Sequence, residues 1–333
     1  MTTQNDKIVG LWLFSIAAMV FVMVILGGLT RLTGSGLSMV DWRPVTGWLP
    51  PLNQEEWQSV FALYKLSPQY LHENIGMSLD DFKNIFWLEF FHRLWGRLIG
   101  ASFALPLTFF IIKGWVRREM IVPLCMLFIL GGAQGVLGWY MVKSGLVDNP
   151  EVSQYRLMAH LGFAFFLYAA LIWTGLSFYK KKTAKIMSAG LKYFSAAMLM
   201  ISFGTILAGA LVAGLNAGLT YNTFPLMDGD LIPPSLHILT PWYLNHFENI
   251  TTVQFQHRFL AIVTVCLTIW MFIKYKNEQT KLLLYCLIAV VLQVLIGILT
   301  LLLVVPIELA SLHQAGGLLV ITAFTWLNYE IRR

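Results

Sequence analysis

Residues 86–112 read FWLEFFHRLWGRLIGASFALPLTFFII. A run of this length exceeds the roughly 20 apolar residues needed to cross a bilayer core of about 30 Å, yet Glu89, His92, Arg93 and Arg97 stand near its start. Ionisable side chains inside a membrane-length segment are costly and mark a candidate functional site. Comparable runs at 8–30, 120–141, 155–178, 193–215, 253–273, 282–304 and 308–328 predict eight membrane-spanning helices. His92, His160, His257 and His313 each fall near the N-terminal end of a different run.

Composition supports the same class. At 57% hydrophobic and 12% charged residues over 333 positions, with mean hydropathy +0.68, the chain is too apolar for an ordinary soluble fold and is predicted to be an all-α polytopic membrane protein surrounded by lipid. Lys7 before the first run resembles the start of a secretory signal, but the run from Ile8 to Thr30 is long and no small-residue cleavage pattern closes it. A retained helix is expected. The net charge of +6 comes mostly from loop lysines and arginines, so no nucleic-acid partner is expected. Cys125, Cys266 and Cys286 lie within apolar runs and offer neither a disulfide framework nor a CxxC redox motif.

Loop charges orient the chain. Lys113, Arg117 and Arg118 follow the second run, Lys180, Lys181, Lys182 and Lys185 the fourth, Lys274, Lys276 and Lys281 the sixth, and Arg332 and Arg333 the eighth. No Lys or Arg occurs between Lys192 and Arg258. Both termini are therefore expected on the positive, cytoplasmic side of the membrane, and the four histidines in one layer of its outer half.

Internal similarity divides the chain into residues 1–185 and 186–333. Gly36-Leu37-Ser38 corresponds to Gly218-Leu219-Thr220, and Pro50-Pro51 to Pro233-Pro234. Phe91-His92-Arg93 matches Gln256-His257-Arg258, the stretch from Gln134 to Gly138 matches that from Gln293 to Gly297, and His160 matches His313. Each half is expected to be a four-helix bundle with two histidines, related to the other by an axis along the membrane normal.

Two imidazoles on facing helices suit a haem iron held from opposite faces, at roughly 2 Å from each nitrogen. Zinc or copper would normally want further ligands, and apart from Glu89 no Cys, Asp or second His lies within a helical turn of any of the four. The bland alternative is four hydrogen-bonded structural histidines. Arg93 and Arg258 each follow a candidate ligand and suit haem propionates; equally, they suit a protein carboxylate or the interface. Glu89 lies three residues before His92, where the second half has Gln254. A carboxyl there can move a proton or stabilise developing positive charge, or it can be a structural partner for Arg93. The chemistry is expected in the first half. His72, His237 and His246 lie in polar loops and are expected to be solvated.

The chain resembles the haem A synthase family over essentially its full length. The resemblance is carried by the stretch from Arg31 to Ser38, by Glu89-Phe90-Phe91-His92-Arg93, by the stretch from Gly218 to Met227, and by the four histidines. It implies a role in cytochrome oxidase assembly: oxidation of a methyl substituent of haem O to a formyl group, giving haem A, in a bacterial inner membrane. It also implies haem b held by His257 and His313, substrate or product haem near His92 and His160, and an essential Glu89. A haem O synthase, the protohaem farnesyltransferase, is implied as a partner. One branch of the family carries a cysteine pair in the first outer loop; this chain has none there and resembles the other branch.

Turning a methyl into an aldehyde removes four electrons, most simply through two hydroxylations and loss of water from a geminal diol. Two histidines on the substrate iron leave no position for oxygen, so either one ligand leaves or water attacks an oxidised porphyrin, and water attack is the favoured expectation. No flavin, nicotinamide or iron–sulfur motif identifies the electron partner. A dihaem electron-transfer protein without substrate chemistry and a proton-relaying transporter are the alternatives. The aromatic- and proline-rich loops 31–85 and 216–252, with Trp42, Pro44, Trp48, Trp57, Tyr64 and Tyr70 in the first, are expected either to cap the haem ends or to form interfacial belts. Paired glycines such as Gly131-Gly132 would admit a porphyrin edge or simply pack helices.

Overall fold

The computed structural model describes residues 4–43, 46–147, 150–180 and 187–332. Pro44, Lys181, Lys182, Lys185 and Arg333 lie outside the described residues, as does the boundary drawn at 185.

Eleven α-helices are present among the described residues: α1 (Gln4–Leu32), α2 (Gln54–Tyr64), α3 (Pro68–His72), α4 (Leu79–Ile112), α5 (Arg118–Lys143), α6 (Gln154–Tyr179), α7 (Ala189–Gly214), α8 (Asn245–Glu248), α9 (Ile250–Tyr275), α10 (Thr280–Leu302) and α11 (Ile307–Ile331). Eight of them are long and apolar enough to cross a membrane, and no strand is formed among the described residues. The protein is an all-α, multi-pass membrane protein.

Several helices begin earlier than hydropathy alone predicts, because polar caps extend them beyond the apolar run. The Ser78 side chain accepts from the Asp81 amide and starts α4 seven residues ahead of the expected Phe86. The Asn249 side chain accepts from the Thr251 and Thr252 amides and starts α9. After α1 the chain turns through left-handed Gly34 (φ 65°) into a short 3-10 turn, Ser35–Leu37. After α7 it turns through left-handed Asn216 (φ 52°) into another, Ala217–Leu219. Glycine and asparagine are the residues that tolerate this backbone.

Helices α1, α4, α5 and α6 pack in sequence around one bundle, and α7, α9, α10 and α11 around a second. Between the bundles, α1 lies on α11, α6 on α7, and α6 on α11. Hydrogen bonds cross this seam. Tyr168 and Thr322 share one between their hydroxyls at 2.8 Å, Gln314 Nε2 donates to the Val24 carbonyl at 3.0 Å, and Arg31 donates to the Ala213 carbonyl and, at 3.1 Å, to Asn216 Oδ1. At the loop end, Tyr155 donates to Glu248 at 2.8 Å.

The first loop builds its own small core. Trp57, Phe61, Tyr64, Phe82, Phe86 and Phe90 are buried together where α2 meets the start of α4, whereas Trp42 and Trp48 stay exposed. Its aromatics therefore divide between a packed cluster and surface positions. In the second loop, fully buried Asn245 accepts from the amides of Ile238 and Leu239 and donates to the carbonyls of Leu239 and Trp242. Of the cysteines, Cys286 is buried, Cys125 partly so, and Cys266 exposed.

Candidate functional site

Glu89 is 2% exposed, and both oxygens of its carboxylate accept hydrogen bonds. One oxygen accepts from Ser38 Oγ and from the Met39 amide, each at 2.7 Å; the other accepts from Arg93, one turn on along α4, at 2.5 Å. Arg93 also donates to the carbonyls of Met39 at 2.8 Å and Asp41 at 3.1 Å. Carboxylate, guanidinium and the chain leaving the first 3-10 turn thus form one network, in which a buried charge is paired and hydrogen-bonded.

The same construction surrounds Arg258 without the charge. Arg258 donates to the carbonyls of Tyr221 at 2.7 Å and Thr223 at 2.8 Å. The register that equates Ser38 with Thr220 makes these the counterparts of Met39 and Asp41. Gln254, where the other half has Glu89, is 2% exposed and donates to the Tyr221 carbonyl at 3.1 Å.

Each candidate histidine sits against a glycine of the neighbouring helix. A Cβ added to Gly138, Gly209 or Gly297 would stand 2.8, 2.9 or 2.7 Å from Cε1 of His160, His257 or His313 respectively, distances no real side chain tolerates. Gly27 faces His92 less tightly, at 3.5 Å from Nε2. Gln134 donates to the backbone carbonyl of His160 at 2.9 Å, and Gln293 to that of His313 at 2.8 Å. Each glutamine therefore ties α5 to α6 or α10 to α11 at the level of a histidine.

The second histidine pair can be tested against a haem iron. The rings of His257 and His313 have centroids 6.4 Å apart and are nearly perpendicular. An iron held midway by two imidazoles, with bonds of about 2 Å and ring centres about 1 Å behind the ligating atoms, would put the centroids about 6 Å apart. The pair fits. His257 Nδ1 lies 3.0 Å from the Thr205 carbonyl, which can only accept, so in the neutral ring the proton sits on Nδ1 and the Nε2 lone pair is free for a metal. His92 and His160 are near enough to interact electrostatically, and all four imidazoles are only half-buried. No cluster of three or more His, Cys, Asp or Glu suited to a bare metal ion occurs among the described residues. His246 lies 3.4 Å from Gln256 Oε1 and is edge-on to Trp242. It joins the second loop.

The roles of Gly138, Gly209, Gly297, Gln134 and Gln293 are not evident from sequence reading. Four of them fall in the stretches matched between the halves, but only helix packing shows that the glycines seat imidazoles. A second difference between the halves also emerges. Gly100 on α4 and Gly131, Gly132 and Gly135 on α5 have nothing within 4 Å of an added Cβ, and only Leu124 of α5 is buried. At the aligned positions of α9 and α10 stand Val265, Val290, Val291 and Val294, of which Val290 is 2% exposed.

The family described as cytochrome oxidase assembly protein, COX15-CtaA, matches residues 10–325. The chain is 50% identical to a heme A synthase of Nitrosospira multiformis, covering 98% of this chain and 94% of that protein. It is 48% identical to a heme A synthase of Parvibaculum lavamentivorans, covering 100% and 96%. With the heme A synthase COX15 of Arabidopsis thaliana it shares 44% identity over 99% of this chain and 76% of that protein. Near-complete coverage at this identity leaves one conclusion: the chain belongs to the haem A synthase family.

Proposed function

We propose that this membrane enzyme converts haem O to haem A, oxidising one porphyrin methyl to a formyl group with its first half, residues 1–185, while the second half, residues 186–333, holds haem b between His257 and His313. The observation that carries the division is the contrast between Glu89 and Gln254 within otherwise matching frameworks: one half has a buried acid one turn from a histidine, the other a neutral amide. The matching helix order, left-handed turns and arginine–carbonyl contacts support reading the halves as a repeat.

Conversion of methyl to formyl takes one water and releases four protons and four electrons, a balance satisfied by successive hydroxylations and dehydration. Haem b, when bound, supplies one-electron redox chemistry. The chain's own part is positional and protonic. His92 and His160 hold the substrate iron, Glu89 receives a proton released beside His92, and Arg93 keeps the carboxylate aimed while tying it to the first loop. With their guanidinium groups engaged by backbone carbonyls, Arg93 and Arg258 fit best as braces for the loops that cover the histidines; contact with propionates would need a further edge of each fork. The Lys and Arg pattern supports an inner-membrane location with both ends of the chain cytoplasmic. A haem O synthase is the fitting source of substrate, together with an electron acceptor of unassigned identity.

Expression in a host that makes haem O but lacks haem A synthase tests the reading. Extracted haem should include haem A only when this chain is present; a folded chain that leaves haem O untouched would instead favour a dihaem electron carrier. Gly297→Ala tests the second site. A methyl 2.7 Å from His313 Cε1 must displace that ring, so the purified variant is expected to retain less than about a tenth of its haem b, because losing one of two axial bonds exceeds about 1.4 kcal/mol. Unchanged haem content measured as the pyridine haemochrome would remove His313 as a ligand.

A further inference from the structure

We infer that Ser38 is the exit for the protons collected by Glu89, passing each from the buried carboxyl to a polar cavity between the first loop and α4, a role that rests on Glu89 being the proton acceptor proposed above.

An acid that has accepted one proton can accept the next only after losing the first, and conversion of methyl to formyl releases four. The Glu89 carboxylate accepts from three groups: the Ser38 hydroxyl, the Met39 amide and the Arg93 guanidinium. A backbone amide and a guanidinium only donate, whereas a hydroxyl both donates and accepts. Of the three, Ser38 alone can take a proton from Glu89. Its Oγ lies 2.7 Å from Glu89 Oε2 and 3.3 Å from the Ile85 carbonyl oxygen, two acceptors between which the hydroxyl proton can turn.

Ser38 is 2% exposed, yet it stands in the wall of a cavity of about 250 Å³. Asp41, Arg43, Glu56, Ser59 and Arg97 are among the other lining residues. Asp41, Glu56 and Ser59 are exposed, so the cavity runs from the buried acid to the surface of the loop. Polar walls and this volume suit a chain of waters, each of which occupies about 30 Å³ in the liquid. The cavity's carboxylates are already engaged, Asp41 by Arg43 at 3.1 Å and Glu56 by the Leu52 amide at 2.8 Å, which leaves water as the acceptor.

The step moves one proton. Glu89, protonated on Oε2, gives that proton to Ser38 Oγ as the original hydroxyl proton of Ser38 passes to a cavity water. The O–H bond of the acid breaks, a new one forms on the water, and Ser38 ends neutral. At the matching turn of the second half Thr220 keeps the hydroxyl, but Gln254 there donates to the Tyr221 carbonyl at 3.1 Å and has no proton to release.

The test is the rate of haem A formation by the full chain in membranes of a host that makes haem O but lacks haem A synthase, measured in H₂O and in D₂O at equal haem O occupancy. Ser38→Ala is expected to slow formation by about tenfold or more and to raise the solvent isotope effect above the native value, because proton exit then limits turnover. Ser38→Thr, which keeps the hydroxyl, is expected to stay near the native rate. Ser59→Trp, which fills the cavity without touching the bonds to Glu89, should slow formation with the same rise in isotope effect. A native rate in Ser38→Ala overturns the relay, as does a slowed Ser38→Ala whose isotope effect is unchanged, since Ser38 then only positions the carboxylate. A native rate in Ser59→Trp overturns the cavity as the exit. Should Ser38→Ala fail to accumulate, Ser59→Trp decides by the same two readings. Full turnover by Glu89→Gln removes the acid itself, whereas its loss of activity beside a fully active Ser38→Ala overturns the relay alone.

Discussion

Glu89→Gln is expected to lower haem A formation by about 10²–10⁴-fold, the range associated with a positioned proton-transfer group. Gln254 shows that an amide fits the equivalent place on α9, so the substitution changes proton capacity more than shape. Some reorganisation is unavoidable: the Glu89 carboxylate accepts from Ser38, Met39 and Arg93, and an amide would turn its NH₂ group towards one of these donors. Measuring haem O binding alongside turnover separates the effects. A proton-handling role predicts lost product with bound substrate and an unaltered haem b spectrum. Full turnover by the variant would return Glu89 to a purely structural partnership with Arg93.

Arg93→Ala is expected to cost about 3–5 kcal/mol of stability, the usual consequence of removing one partner from a buried ion pair. The pair is enclosed, with side-chain exposures of 15% for Arg93 and 3% for Glu89, so water cannot replace the lost charge readily. Arg258→Ala should cost less, about 1–3 kcal/mol, because what it strands is backbone carbonyls, and Asp228, the carboxylate that acts on it, is exposed. Thermal unfolding of both variants in one detergent provides the comparison. Equal losses would show that Glu89 needs no countercharge in this fold.

The spans were legible because roughly 20 apolar residues in succession admit few other structures. Their true starts were less so, since Ser78 and Asn249 extend α4 and α9 through capping hydrogen bonds that hydropathy does not register. Helices α2 and α3 escaped for a related reason: α2 meets α4, and α3 meets α2 and Gly34, only after the loop has folded back. At the site, Glu89 and the histidines stood out as costly residues in apolar surroundings. Gly138 and Gly297 did not, because a glycine's purpose depends on which side chain a neighbouring helix brings to it. The partners of Arg93 and Arg258 were hidden likewise, being backbone carbonyls that any sequence supplies.

The seam between the bundles bears on timing as well as stability. Apolar faces gain little from meeting one another inside lipid, where the surroundings are equally apolar, so the bonds from Tyr168 to Thr322, Gln314 to Val24 and Arg31 to Asn216 give the contact its definition. Electron tunnelling weakens steeply with distance. Two redox centres placed in bundles clasped in this way would exchange electrons across an interval held by protein architecture, unaffected by the lateral diffusion that governs encounters between separate membrane proteins.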